Sequence, residues 1–294
     1  MSLLRRLSQQ NYPYALIVFV ITFAAYVQTL MPGTVGGDAG ELQYAGPLLA
    51  LVHPTGQPLY VTLGYVWSHL IPFGSMAWRM NLLAAFSAAA GCGALTWLFA
   101  KAYAGEQGKG EHTGSPLHGI GVRVIAAATG LTLGFGAALW GQAVLADKYG
   151  FNVLLTSVLV GLTLWWGHVV ALGSKPKTSV NWETPEGVTG RTGNSFGDLE
   201  SNTQPSATIR NRLLYALSLT FGICLLHHRS LALFGLMIGM MVVYYERAEL
   251  WRNWRRTLIC MALVIVPALV VYPLFLPLVR ARELSPLLWQ PNDA

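Results

Sequence analysis

The sequence predicts an all-α integral membrane protein, and three observations carry that prediction. Of 294 residues, 53% are hydrophobic and only 11% charged, and the mean hydropathy is +0.46, outside the range of a water-soluble domain. Apolar runs of about 17 to 25 residues, enough to cross about 30 Å of hydrocarbon, recur along the chain. Lys and Arg gather in the loops on one side of those runs. The net charge of +6 therefore reads as cytoplasmic loop charge, and no nucleic-acid partner is expected.

Residues 1–13 carry Arg5 and Arg6 and lead into Tyr14 to Leu30, a run without a charge. A clean small-x-small cleavage site is missing, so this is an uncleaved first span with its amino end in the cytoplasm. Further spans are expected at 80–100, 124–146, 150–172, 212–228, 230–245 and 257–279, seven in all. A first outer loop, 31–77, joins the first two and contains the apolar stretch Leu59 to Ile71, too short to cross and closed by Pro72-Phe73-Gly74. Placed along the surface, that stretch leaves fourteen of the nineteen Lys and Arg inside and only Arg79, Lys148, Arg229, Arg280 and Arg282 outside. A crossing would reverse every later loop and give seven inside and twelve outside, against the positive-inside tendency. Surface helices in the first outer loop follow.

The whole chain, 1–294, reads as a single membrane domain. Two of its cytoplasmic loops stand out: 105–119, and 173–210, which is rich in Ser, Thr, Gly, Pro and Asn and is expected to be disordered. Cys92, Cys224 and Cys260 lie inside apolar runs and are expected to be packing residues. The spaced pairs Gly130 with Gly134 and Gly235 with Gly239 predict close helix approach within the bundle. Trp140, Trp165 and Trp166 are assigned to lipid-facing or interfacial positions.

This topology brings Asp38, Glu41, His53, Arg79, Asn81, Asp147, Lys148, Tyr149, His227, His228 and Arg229 to the outer side or to the outer ends of helices. Asp38 and Glu41, three apart, fit two readings that can hold together. Asp38 can cap a helix beginning at Ala39 with Glu41 closing a capping box, or the two can share a face as a general base and a partner that orients or binds a cation. The His53-Pro54-Thr55-Gly56-Gln57-Pro58 turn is stiffened by two prolines, each biasing the residue before it to extended geometry, and either aims His53 or merely breaks the chain. Asp147-Lys148-Tyr149 and His227-His228-Arg229 read as solvated hairpin tips or as cations opposite an acid, an arrangement that suits a phosphate or pyrophosphate. Arg79 either snorkels or joins them. A zinc-protease HExxH, a GxSxG elbow and a P-loop are all missing, and Val35 breaks the GxGD pattern of intramembrane aspartyl proteases.

The order Asp38-x-x-Glu41, His53-Pro54-x-Gly56-x-Pro58-Leu59, Pro72-Phe73-Gly74 and Arg79-x-Asn81-Leu82-Leu83 resembles a bacterial and eukaryotic family of polytopic proteins. That family is related to the protein O-mannosyltransferases and belongs to the GT-C glycosyltransferases. The resemblance continues through Trp140-x-Gln142-Ala143, Asp147-x-Tyr149-x-x-Asn152, Leu217-Ser218 to His227-His228, and Leu276-Pro277-Leu278-x-Arg280 to Trp289. It implies a GT-C-like bundle and a membrane enzyme that moves a sugar, such as mannose, from a polyprenyl-phosphate donor to a protein or glycan hydroxyl on the non-cytoplasmic face. The membrane is the plasma membrane if bacterial and the endoplasmic reticulum if eukaryotic. Carried onto this chain, the acidic catalytic residue is Asp38, with Glu41 beside it and the remaining outer-side residues binding substrate. The resemblance departs at position 147, where Asp stands in place of an expected Glu. It also implies the N-terminal part of a longer architecture.

Two other classes stay open: a non-catalytic or truncated membrane relative, and a lipid or solute transporter, which would want ionisable groups at the bilayer midplane. Asp38 and Glu41 offer oxygen ligands that suit a divalent cation.

Overall fold

A computed structural model describes residues 12–53, 57–107, 116–173 and 207–281, and all of its regular elements are helices. They are α1 (Tyr12–Gln28), α2 (Gly37–Leu48), α3 (Pro58–Leu70), α4 (Met76–Gln107), α5 (Pro116–Gly134), α6 (Ala137–Ala143), α7 (Lys148–Gly173), α8 (Ala207–Leu225), a 3-10 turn (Arg229–Leu231), α9 (Ala232–Arg252) and α10 (Trp254–Ala281). The protein is an all-α membrane protein, as the apolar runs predict. A helix lies over each of the seven expected spans. Among the described residues α4, α7 and α10 are long and apolar enough to cross a membrane unaided, and α5 with α6 makes a fourth. The linker expected at 173–210 falls mainly outside the described residues, as do residues 54–56 of the proline turn and Trp289.

α4 is the axis of the amino-terminal half and packs against α1, α5, α7 and the two short helices α2 and α3. Its buried face is made of small residues, Ala84, Ala85, Ala88, Ala89 and Cys92. Small side chains let backbones approach closely, which is how helices associate where lipid supplies no hydrophobic drive. A Cβ on Gly150 of α7 would stand 2.7 Å from the Ala84 carbonyl oxygen, and one on Gly91 of α4 would meet the Leu154 amide at 2.9 Å. The Gly130 and Gly134 prediction holds: α5 approaches Thr96 of α4 and Thr22 of α1 at these glycines. Gly235 faces the Phe221 ring, but Gly239 is open. The three cysteines are free thiols, two of them buried, as expected of packing residues.

Several expectations need correction. The span placed at 124–146 is broken: α5 and α6 meet at 64°, at a Gly134-Phe135-Gly136 sequence where two glycines carry no side chain to resist bending. Trp166 is fully buried against Val169, Val170, Leu213 and Leu214 rather than lipid-facing. Gln57 adopts a left-handed conformation, φ 39° and ψ 50°, where Pro58 predicts extended geometry. The fold overrides that local preference by burying Gln57 where α3 begins.

α2 and α3 are held by a shared core. Leu42 and Ala45 of α2, Tyr60 and Val61 of α3, Met80 and Leu83 of α4, and Phe151 of α7 form one buried cluster. α2 ends at Leu49 in the left-handed region, φ 53°, where the Leu49 and Ala50 amides return to the carbonyls of Gly46 and Ala45. That turn sends the chain back across α2 and delivers His53 to it.

Candidate active site

Four segments converge on one cluster. α2 supplies Asp38 and Glu41, the turn after it His53, the start of α7 Asp147, Lys148 and Tyr149, and the turn after α8 His228. Lys148 Nζ donates to Asp38 Oδ2 at 2.6 Å across 110 residues of sequence. The ammonium is 5% exposed and the carboxylate 56%. Buried cation and accessible acid thus form one pair, and the hydrogen bond from Lys148 holds the Asp38 carboxyl below the usual carboxylate range despite some burial.

Glu41 is occupied by His53. Its Oε1 accepts from the His53 backbone N–H at 2.6 Å, and its Oε2 lies 2.5 Å from Nδ1. The opposite ring nitrogen, Nε2, stands 4.0 Å from Asp38 Oδ2. The capping-box reading does not hold, because α2 begins at Gly37 after an N-cap Gly36 with no side-chain cap. Asp38 lies inside the first turn, where a carboxylate complements the positive helix end.

Asp147 lies just before α7 and its Oδ1 accepts the Lys148 amide at 2.6 Å. The short Asp side chain reaches that amide directly. Burial pushes its carboxyl up, opposed by Lys148. Tyr149 is partly exposed, with Lys148 Nζ 5.2 Å from its ring centre and the His228 ring at 6.2 Å. His228 Nδ1 accepts the Ser230 backbone N–H at 3.3 Å, with the Ser230 hydroxyl at 2.7 Å, which places the proton of the neutral ring on Nε2.

The structure separates three expected substrate-binding residues from this cluster. His227 is fully buried, wedged by Tyr60 and Phe151, and its Nε2–H donates to the Lys148 carbonyl at 3.2 Å. Burial pushes its imidazole down to about 4, so at neutral pH it brings no cation and instead ties the turn after α8 to α7. Arg79 donates to the Ser68 carbonyl at 2.7 Å and to Phe73 and Gly74 at 3.1 Å. It fastens the end of α3 to the start of α4. Asn81, also fully buried, donates to the Met31 carbonyl and accepts Gln43 Nε2, both at 2.8 Å. Arg229 opens the 3-10 turn, and its side chain lies outside what the structure describes.

Sequence reasoning missed Gln43 and Tyr60. Gln43 gathers Asn81, the Gly33 carbonyl and the Val35 amide, and so fixes the strand of chain that leads into Asp38. Its only signal was an amide among apolar neighbours. Replacing Gln43 by Leu leaves those buried groups short of partners, and a loss of about 1 to 3 kcal/mol is expected, measured by thermal unfolding in detergent. Tyr60 donates to the Asp147 carbonyl at 3.2 Å and braces the start of α7.

One ligand atom each from Asp38, Glu41 and His53 lies within 4.8 Å of the others, a donor set of the right type for Mg²⁺ or Mn²⁺. The fit is poor on charge, since Lys148 already occupies Asp38 Oδ2 and His53 engages both Glu41 oxygens. A cation would compete with the ammonium for the Asp38 carboxylate.

Residues 38–184, half of the chain, match the model described as the protein O-mannosyl-transferase TMEM260 N-terminal domain. The chain belongs to that family. The matched range opens at Asp38 and includes Glu41, His53, Asp147 and Lys148. The mouse protein O-mannosyl-transferase TMEM260 is 29% identical over 160 residues, 54% of this chain and 20% of the relative. Its counterpart in Dictyostelium discoideum is 38% identical over 69 residues, 23% of this chain and 8% of the relative. The chain thus spans about a fifth or less of these TMEM260 relatives. No solved structure matches.

Proposed function

We propose that this chain carries the sugar-transfer site of a membrane glycosyltransferase, which moves a sugar from a polyprenyl-phosphate donor to a hydroxyl acceptor, protein or glycan, on the non-cytoplasmic face. The observation that carries the reading is the Asp38–Lys148 pair, an accessible carboxylate fixed against a buried ammonium. Membership in a family named for protein O-mannosyl transfer supplies the reaction class, and the loop-charge asymmetry supplies the face.

The chemistry is a single inverting displacement. The acceptor oxygen attacks the anomeric carbon while Asp38 takes its proton, and the bond from that carbon to the lipid phosphate oxygen breaks with its electron pair. Lys148, with His228 across the Tyr149 ring, stabilises the charge on the departing phosphate. Glu41 holds His53 beside the base. Arg79, Asn81, Asp147 and His227 keep the supporting helices in register.

The test is transfer of label from a panel of radiolabelled polyprenyl-phosphate monosaccharides by the protein in lipid, beside the same sugars as nucleotide derivatives. Transfer from a polyprenyl-phosphate donor alone is expected. Transfer from the nucleotide sugar instead would overturn the donor assignment, and binding of donor without transfer would favour a non-catalytic relative.

A further inference from the structure

We infer that His53 is the second proton acceptor of this site, taking from Asp38 the proton that Asp38 takes from the acceptor hydroxyl, with Glu41 fixing the imidazole for that role. The inference rests on the glycosyl-transfer reading above and names a residue that acts on the reaction through Asp38.

Glu41 grips the backbone N–H of His53 with one oxygen and faces Nδ1 with the other, at 2.6 and 2.5 Å. An ionised carboxylate only accepts, so the proton of a neutral ring sits on Nδ1 and the lone pair on Nε2. Nε2 is the nitrogen that faces Asp38 Oδ2, 4.0 Å away. That gap is too long for a hydrogen bond, and the proposed transfer requires the more exposed Asp38 side chain to turn toward the ring. A carboxylate that sets the tautomer of an imidazole whose other nitrogen meets the proton is the arrangement by which hydrolases activate histidine. Here the proton comes from a second carboxyl group.

Asp38 has a reason to pass its proton on. Lys148 stabilises its ionised form, so protonated Asp38 gives up its proton more readily than an ordinary carboxylic acid. In the transfer step the acceptor O–H bond breaks and its proton goes to Asp38. In the next step the Asp38 O–H bond breaks, its electron pair stays on the carboxylate, and the proton bonds to the Nε2 lone pair. The imidazolium is then paired with Glu41 and gives its proton to water, since His53 is part-exposed. Asp38 is ionised again for the next acceptor.

The competing explanation is that Glu41 and His53 merely pin the turn after α2. The experiment therefore reads proton transfer. His53→Gln, His53→Ala, Glu41→Gln and the Glu41→Gln/His53→Gln double variant are assayed beside wild type for kcat and KM across pH 5 to 9. His53→Gln is expected to lower kcat about 10- to 100-fold, keep KM for the lipid donor, and remove an acid limb from the wild-type profile. Added imidazole is expected to restore part of the His53→Ala activity, and the double variant to be no worse than His53→Gln alone, because the two residues act as a unit. If the kcat loss comes with an unchanged pH profile and no imidazole rescue, His53 is structural and the inference falls while wild-type transfer keeps the glycosyltransferase reading. If wild type transfers no sugar, both fall together.

Discussion

Asp38→Asn is expected to lower sugar transfer by about 100- to 10,000-fold, the range by which a positioned general base accelerates proton removal. The amide keeps the size of the carboxyl group but cannot take a proton, so the acceptor would have to attack as a neutral hydroxyl. The substitution also leaves the Lys148 ammonium, 5% exposed, without the carboxylate that faces it. Loss of one member of a buried pair destabilises a fold by up to several kcal/mol, although Asp147 beside the lysine and the 56% exposure of Asp38 moderate that cost. A poorly folded Asp38→Asn protein would therefore be ambiguous. The double variant Asp38→Asn/Lys148→Met removes both charges together and is expected to unfold thermally near wild type while remaining inactive. Transfer at the wild-type rate by either folded variant would remove Asp38 from the reaction.

The fold was legible because hydropathy reads span length directly. Tyr14 to Leu30 and 150–172 carry no charge, and a helix lies over each. Hydropathy is blind to direction, however. Gly134-Phe135-Gly136 continues the same apolar run, and only packing shows the 64° turn there. The acids and His53 were legible for a different reason: in so apolar a chain each ionisable residue is conspicuous. Their partners were not. The loop-charge count predicts Asp38 and Lys148 on one side of the membrane, but nothing local told which of the cations expected there would reach the carboxylate. Arg79 was as good a candidate by sequence, and the structure gives its guanidinium to the end of α3. His227 and His228 are adjacent in sequence yet differ in burial, because the turn after α8 sends one ring inward against Phe151. Gln43, uncharged, gave only the weak signal of an amide among apolar neighbours.

Lys148→Met sets stability against activity and should separate them. Methionine is unbranched and similar in volume, and it fills the same buried site without a charge to desolvate. Replacing one end of a buried pair by an apolar residue strands the other end only when that end is buried too. Asp38 is more than half exposed and can be hydrated. The buried Asp147 loses its neighbouring cation but keeps the backbone N–H of residue 148, so the variant is expected to unfold near the wild-type temperature. Its activity is expected to fall, by two opposed effects of unequal size. Without the ammonium the Asp38 carboxyl returns toward its ordinary range, which makes it a somewhat better base, by less than tenfold in rate per unit of basicity. Against this, a preorganised cation at a developing phosphate charge contributes about 100- to 1,000-fold, as removal of an oxyanion donor does elsewhere. The loss wins, and kcat/KM is expected to fall by roughly 100-fold. The pH profile carries the same signature with a definite sign. Asp38 must be ionised to act, Lys148 now lowers the pH at which it protonates, and so the Asp38-dependent acid limb should shift upward in the variant. A stable Lys148→Met protein with wild-type kcat/KM and an unmoved acid limb would show that the pair only fastens α2 to α7, and that the cation opposite the leaving phosphate must be sought at His228 or Arg229.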